Sequence, residues 1–241
     1  GRCHLPRNAV GVTCWCGHLL QPSDSDHALS CRALSGATTL RHDLVKDAWR
    51  RAVRWASLDS TVEPALTPLR NGNPRPHAQM ARRGATTDDQ ADRDRGDILI
   101  VMPDAMTVVD VSITHPAAES HAPRAARVDG GGWAAQQRER IKRSQYEVAA
   151  TGAYDFVPLV SESFGRLGGA ARAFLGKLAD VAADGSDTFD RRMFVATVQR
   201  ELGVAVQRGN AIMCKAGLRV LTRVSGHAFR EGGPPTAEGD L

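Results

Sequence analysis

Gly96-Asp97-Ile98-Leu99-Ile100-Val101-Met102-Pro103-Asp104-Ala105-Met106-Thr107-Val108-Val109-Asp110-Val111-Ser112-Ile113-Thr114 reads as two apolar, β-branched runs joined by a short turn. The spacing predicts a hairpin turning at Pro103 to Met106, so that Met102 faces Thr107 and Leu99 lies opposite Asp110. Side chains alternate faces along a strand, which puts Asp97 on the face of Leu99 and therefore of Asp110. That diagonal corresponds to roughly 7–8 Å between Cα atoms, within reach for two carboxylates to share a cation. An aspartate inside Val108-Val109-Asp110-Val111 is costly to bury unless something pairs with it, and a divalent metal is the simplest partner. The reading depends on register, because a slip of one residue sends the two acids to opposite faces.

Upstream, Cys14-Trp15-Cys16-Gly17 is followed by a polar loop and His27-Ala28-Leu29-Ser30-Cys31. Two cysteines at a tight turn, then a histidine and a cysteine at i and i+4 of a helical face, supply four ligands for tetrahedral zinc. Gly17 lets the chain fold back around the ion. Cys3, His4 and His18 are available substitutes. Such a zinc is structural, with a closed shell, and is expected to clamp a loop-rich knob over residues 1–33.

From Leu34 to Ser57 the apolar residues Leu40, Leu44, Val45, Ala48, Trp49, Ala52 and Val53 recur at helical spacing, with Arg41, Arg50, Arg51 and Arg54 opposite as a solvated face. Ser60 to Leu66 reads as a short edge strand marked by Pro64. Glu63 is placed to extend the acidic cluster, although taken alone it reads as a surface acid. Residues 70–95 carry almost no large apolar side chains and read as a flexible insertion.

Beyond the hairpin, 115–132 is a loop closed by three glycines, and Trp133 to Ala150 is a helix ended by Gly152. Lys142 and Tyr146 lie one turn apart on it. The chain has only four lysines, Lys46, Lys142, Lys177 and Lys215, so a compact ammonium at this place suggests a group that orients water. Tyr154 to Ser161 reads as a further strand. This order predicts an α/β (α+β) core, a small mixed sheet flanked by helices, over residues 34–165. A C-terminal helical extension follows over 166–225, with helices at Ala170–Ala183, Thr188–Leu202 and Val204–Val224. Cys214 reads as a lone buried thiol, and 226–241 as a disordered tail.

At 241 residues the chain can bury a core and hold a satellite unit, and its net charge of +4 permits a nucleic-acid partner without requiring one. Five cysteines, four within the first 31 residues, fit a reduced compartment with a metal site better than a disulfide framework. No signal-like or membrane-length apolar run occurs, so the chain is expected to be a soluble, intracellular piece of a longer polypeptide.

Taken in order, Cys-x-Cys-Gly, His-Ala-Leu-x-Cys, Arg41-His42, Val62-Glu63-Pro64, Arg95-Gly96-Asp97, Val109-Asp110-Val111 and Lys142-x-x-x-Tyr146 resemble the restriction-like endonuclease region of non-long-terminal-repeat retrotransposons. That region belongs to the PD-(D/E)XK nuclease superfamily and lies downstream of a reverse transcriptase and a CCHC zinc knuckle. The resemblance covers roughly Gly11 to Gly165. It implies a restriction-endonuclease-like core that hydrolyses DNA phosphodiesters and nicks the target to prime reverse transcription of the element's RNA. By the same resemblance Asp97 and Asp110 hold Mg2+ or Mn2+, Glu63 matches the upstream glutamate, and Lys142 replaces the lysine that normally follows the second acid. Here that position is Ser112. Tyr146 positions water or contacts phosphate. The resemblance implies a nuclear location, with DNA, the element's RNA and the upstream reverse transcriptase as partners. The alternative is a catalytically decayed, zinc-containing nucleic-acid-binding module on the same fold.

Overall fold

The computed structural model describes residues 11–21, 24, 26–64, 96–118, 132–146, 154–185 and 188–231, with side chains to residue 223. The expected 70–95 insertion, most of the 115–132 loop, Cys3 and His4 lie outside them. The chain divides into two compact units, Arg41–Arg208 and a second made of Gly1–Leu40 with Gly209–Leu241.

The larger unit is built on a four-stranded mixed sheet in the order β1-β2-β3-β4, from β1 (Ser60–Val62), β2 (Ile98–Val101), β3 (Met106–Thr114) and β4 (Asp155–Glu162). The first three strands are antiparallel neighbours and β4 runs parallel to β3. Helix α2 (Trp133–Tyr146) lies between those two parallel strands in the chain, as a parallel pair requires a crossover. Ile98, Ile100, Val109, Val111 and Leu159 share one core with Val45, Trp49 and Val53 of α1 (Ser35–Trp55). Phe174, Leu175 and Leu178 of α3 (Gly169–Asp184) join it, as do Val198 and Leu202 of α4 (Arg191–Glu231). The opposite face meets α2, where Val108 packs with Tyr146 and Tyr154 and the Tyr146 ring stacks on Phe156 at 4.2 Å.

The hairpin forms in a different register from the one expected. Val101 pairs with Met106 and Leu99 with Val108, and the turn is Met102 to Ala105. The offset is two residues. Because two is also the side-chain period, every side chain keeps its predicted face.

Several other boundaries differ. Helices expected at Thr188–Leu202 and Val204–Val224 are one helix, and α4 also takes in residues 226–231 of the expected tail. Gly203 costs that helix only about 1 kcal/mol relative to alanine, and the buried row Leu202, Ala205, Val206 continues across it. The extension expected at 166–225 is not a separate body. Apolar faces of α3 and the first half of α4 complete the sheet's own core, so both belong to the larger unit as far as Arg208. Arg41, expected on a solvated face, is buried, and that burial holds its pKa down at about 10. Leu40, expected in the apolar stripe, is exposed.

Glu139 is the only acid of α2. Its carboxylate accepts the Ala170 N–H at 3.0 Å, at the start of α3, where the helix dipole favours negative charge. Glu139→Gln is expected to destabilise the chain by about 0.3–1 kcal/mol in thermal melts. An unchanged melt would remove the charge from this role.

Candidate metal centres

Asp97 immediately precedes β2 and is fixed from both ends of its residue. Its N–H donates to the Val109 carbonyl at 3.1 Å, and its carbonyl accepts the Glu63 N–H at 2.9 Å. Glu63 adopts φ +49°, the left-handed region, which lets the chain leaving β1 turn back onto Asp97. The Asp97 carboxylate then reaches over Asp110 to the next residue of β3, where Oδ2 accepts the Val111 N–H at 2.6 Å. Backbone and side chain of Asp97 thus bracket Asp110, touching the residue before it and the residue after it.

Asp110 is buried, as an aspartate in a β-branched strand must be, and it has the partners that burial demands. Lys142 Nζ bridges both carboxylate oxygens, at 2.9 Å from Oδ1 and 2.8 Å from Oδ2. The Tyr146 hydroxyl donates to Oδ1 at 3.1 Å and Ser112 Oγ to Oδ2 at 3.3 Å. Lys142 and Tyr146 arrive from one face of α2, one turn apart. Burial first, then the Asp110 and Asp97 carboxylates, push the Tyr146 phenol far above its ordinary pKa. It is therefore a hydrogen-bond donor and not a base.

His42, on α1, is a residue to which the sequence assigned no role. Its Nε2 lies 3.1 Å from Asp97 Oδ2, and its Nδ1 lies 3.4 Å from Asp43 Oδ1. Burial alone would lower the imidazole pKa, but hydrogen bonds with Asp97 and Asp43 outweigh it and hold it up. No local pattern could reveal this contact, which joins residues 55 apart in sequence. Glu63 does not join the acidic pair through its side chain. Its carboxylate is half-exposed and bonds Lys46 Nζ at 2.9 Å, which also pairs with Asp43 at 3.2 Å.

Oδ1 of Asp97 has no hydrogen bond among the described residues, and Asp110 is bridged by an ammonium, a group that a divalent cation can replace in charge. Carboxylate oxygens are the ligand type that hard divalent cations take.

In the other unit, Cys14, Cys16, His27 and Cys31 bring their ligand atoms within 4.8 Å of one another, a cluster that could hold a metal ion. Cys14 and Cys31 Sγ lie 3.6 Å apart, and Cys16 Sγ lies 3.5 Å from His27 Nε2. A zinc tetrahedron has S···S edges of about 3.8 Å and S···N edges of about 3.5 Å, so the site has the required size. His27 opens a single 3-10 turn, His27–Leu29, and Cys31 lies beyond it in extended conformation. The two ligands converge without sharing the helical face expected of them. Burial, then neighbouring His18, hold the His27 imidazole below its ordinary pKa, in the neutral form that ligates. Burial pushes the Cys31 thiol up to about 12, and the Cys14 and Cys16 sulfurs beside it add to the effect. Without a cation, the Cys31 thiolate is disfavoured. Gly17, at φ +88°, makes the turn that brings Cys14 and Cys16 together. His18, the expected substitute, bonds Asp24 at 2.8 Å and stacks on the His27 ring at 4.9 Å. Cys214 is neither buried nor a free thiol, since it is part-buried and disulfide-bonded.

No helix among the described residues is long and apolar enough to cross a membrane. Compared with known proteins, the chain matches no protein-family profile and no curated sequence.

Proposed function

We propose that the chain is a metal-dependent DNA endonuclease domain of a retrotransposon-derived polyprotein, built on a restriction-endonuclease-like core and carrying a structural zinc. The observation that carries this reading is the convergence of Asp97, Asp110, Lys142 and Tyr146 on one face of the sheet. The retrotransposon setting, the nuclear location and the reverse transcriptase and RNA partners rest on the sequence resemblance alone.

Asp97 Oδ1 and an oxygen of Asp110 would hold the cation. When bound, Mg2+ lowers the pKa of a coordinated water and neutralises charge building on the phosphate. Lys142 must yield one Asp110 oxygen, and its ammonium is then placed to orient the attacking water. Tyr146 keeps Asp110 in its rotamer through the phenol hydrogen bond. Ser112, where the family places its lysine, donates to Asp110 and leaves the cationic role to Lys142.

Helix α2 also supplies a surface for the substrate. Gln136, Arg140, Arg143, Ser144 and Gln145 are exposed, and the helix's only acid is occupied at α3. This exposed face carries Arg140 and Arg143 on the same helix as Lys142 and Tyr146, and cationic, hydrogen-bonding side chains suit a phosphate backbone. Replacing Arg140 and Arg143 together by glutamine is expected to flatten the salt dependence of DNA binding by about two units of slope. An unchanged slope would place the DNA elsewhere.

The nuclease reading is tested by Mg2+-dependent nicking of supercoiled plasmid. Nicking that disappears in Asp97→Asn and Asp110→Asn supports it, whereas nicking that either variant retains defeats it. The alternative, a decayed nucleic-acid-binding module, draws on the full set of donors already holding Asp110. DNA binding without cleavage by the wild type would favour that alternative.

A further inference from the structure

The two aspartates are not held alike. Asp110 is gripped by three side chains, whereas Asp97 has one, His42, beside the Val111 N–H. Both donors meet the same oxygen, Oδ2. A carboxylate turns about its last bond between two nearly equivalent orientations. Fixing one oxygen with donors from α1 and β3 therefore decides that the other, Oδ1, faces away from them. His42 is itself held from behind, its Nδ1 lying 3.4 Å from Asp43, which pairs with Lys46 and through it with Glu63. This row of side chains runs along α1 to the end of β1 and ends at Asp97. It gives His42 a fixed ring orientation. The imidazole is 28% exposed, which places it at the rim of the acidic site and not in the apolar core.

We infer that His42 is a positioning residue for the catalytic cation: it turns Asp97 so that Oδ1 is presented as a ligand, and it thereby sets the metal affinity of the site. The inference rests on the nuclease reading of Asp97 and Asp110. Groups that orient a ligating carboxylate typically contribute about 10- to 100-fold to metal affinity. A residue that only supported the fold would leave that affinity alone.

The test is Mn2+ binding to the full, zinc-loaded chain, followed by electron paramagnetic resonance, for wild type, Asp97→Asn, His42→Ala and His42→Gln. His42→Ala is expected to weaken Mn2+ binding by about 10- to 100-fold, with DNA affinity unchanged. His42→Gln keeps an N–H donor near the place of Nε2 and is expected to recover most of the loss. The half-saturating Mg2+ concentration for nicking should rise in parallel, with a smaller effect on the rate at saturating metal. If His42→Ala fails to fold by circular dichroism, His42→Asn, which keeps an amide but stops short of Asp97, takes its place with the same expectation. Mn2+ held by His42→Ala within about twofold of wild type, or no better by His42→Gln than by His42→Ala, overturns the inference alone. A wild type that binds no more Mn2+ than Asp97→Asn overturns the nuclease reading and the inference with it.

Discussion

Asp110→Asn is expected to lower Mg2+-dependent nicking of supercoiled plasmid by at least a factor of roughly 10²–10³. Asparagine fills the same volume, but its single carbonyl oxygen can accept from Tyr146 or from Ser112 and not from both, and it brings no charge to a cation. Its amide N–H2 also has to face the Lys142 ammonium that now bridges both oxygens, and donor meets donor. Leaving Lys142 without its buried partner costs stability as well, on the order of a few kcal/mol. The variant therefore needs a thermal melt beside the cleavage assay. DNA affinity should hold, because the exposed arginines of α2 do not depend on Asp110. Asp97→Asn is expected to cut nicking to a similar extent with a smaller loss of stability, since Asp97 meets no lysine. Cleavage by either variant within about tenfold of wild type would remove the metal site from the mechanism.

Removal of zinc should have an equally large effect in a different place. Among the described residues the buried cluster around the cysteines is small, Cys14, Leu20, Leu29, Cys31, Leu34, Met213 and Leu221 with smaller part-buried side chains such as Ala28, Ala37 and Val220 against it, and a unit with so small a core gains much from a metal staple. Structural zinc supplies roughly 10–16 kcal/mol to zinc-finger peptides. Cys31→Ser is therefore expected to lose the metal, about one ion per chain, and with it the amide protection of residues 11–34. Hydrogen exchange should leave the strands of the larger unit protected, because their core draws on none of these residues. Full protection of residues 11–34 in metal-stripped protein, or a metal analysis finding no zinc, would contradict the knuckle.

How much of this could be read from the sequence follows from the range of each interaction. The hairpin strands and the shared face of Asp97 and Asp110 were legible because both depend on alternation over a few residues. The turn itself was misplaced, yet a two-residue offset left every face intact. The grouping of Cys14, Cys16, His27 and Cys31 into a cluster that could hold a metal ion was legible from residue type, even though the expected helical face proved to be a 3-10 turn. Lys142 and Tyr146 stood out because lysine is scarce and the spacing is one helical turn. What depended on tertiary packing was not legible. Arg41 lies in an arginine-rich stripe that looks solvated, and only the folded chain buries it. Gly203 looked like a boundary, but the apolar row on either side of it outweighs one glycine. Glu63 looked like a metal ligand in waiting. Its carboxylate goes to Lys46, and it reaches the site through its backbone, by way of a left-handed φ that sequence does not announce. His42 meets Asp97 only once α1 is laid beside the sheet.

On the proposed reading, Asp97 and Asp110 hold one divalent cation between them. It is tested most directly by the anomalous difference map of a crystal soaked in Mn2+. A peak is expected about 2.1 Å from Asp97 Oδ1 and from an oxygen of Asp110, with Lys142 Nζ drawn off one of the two oxygens it now bridges. A map with no peak there, and Lys142 still clamped across both oxygens of Asp110, would contradict it.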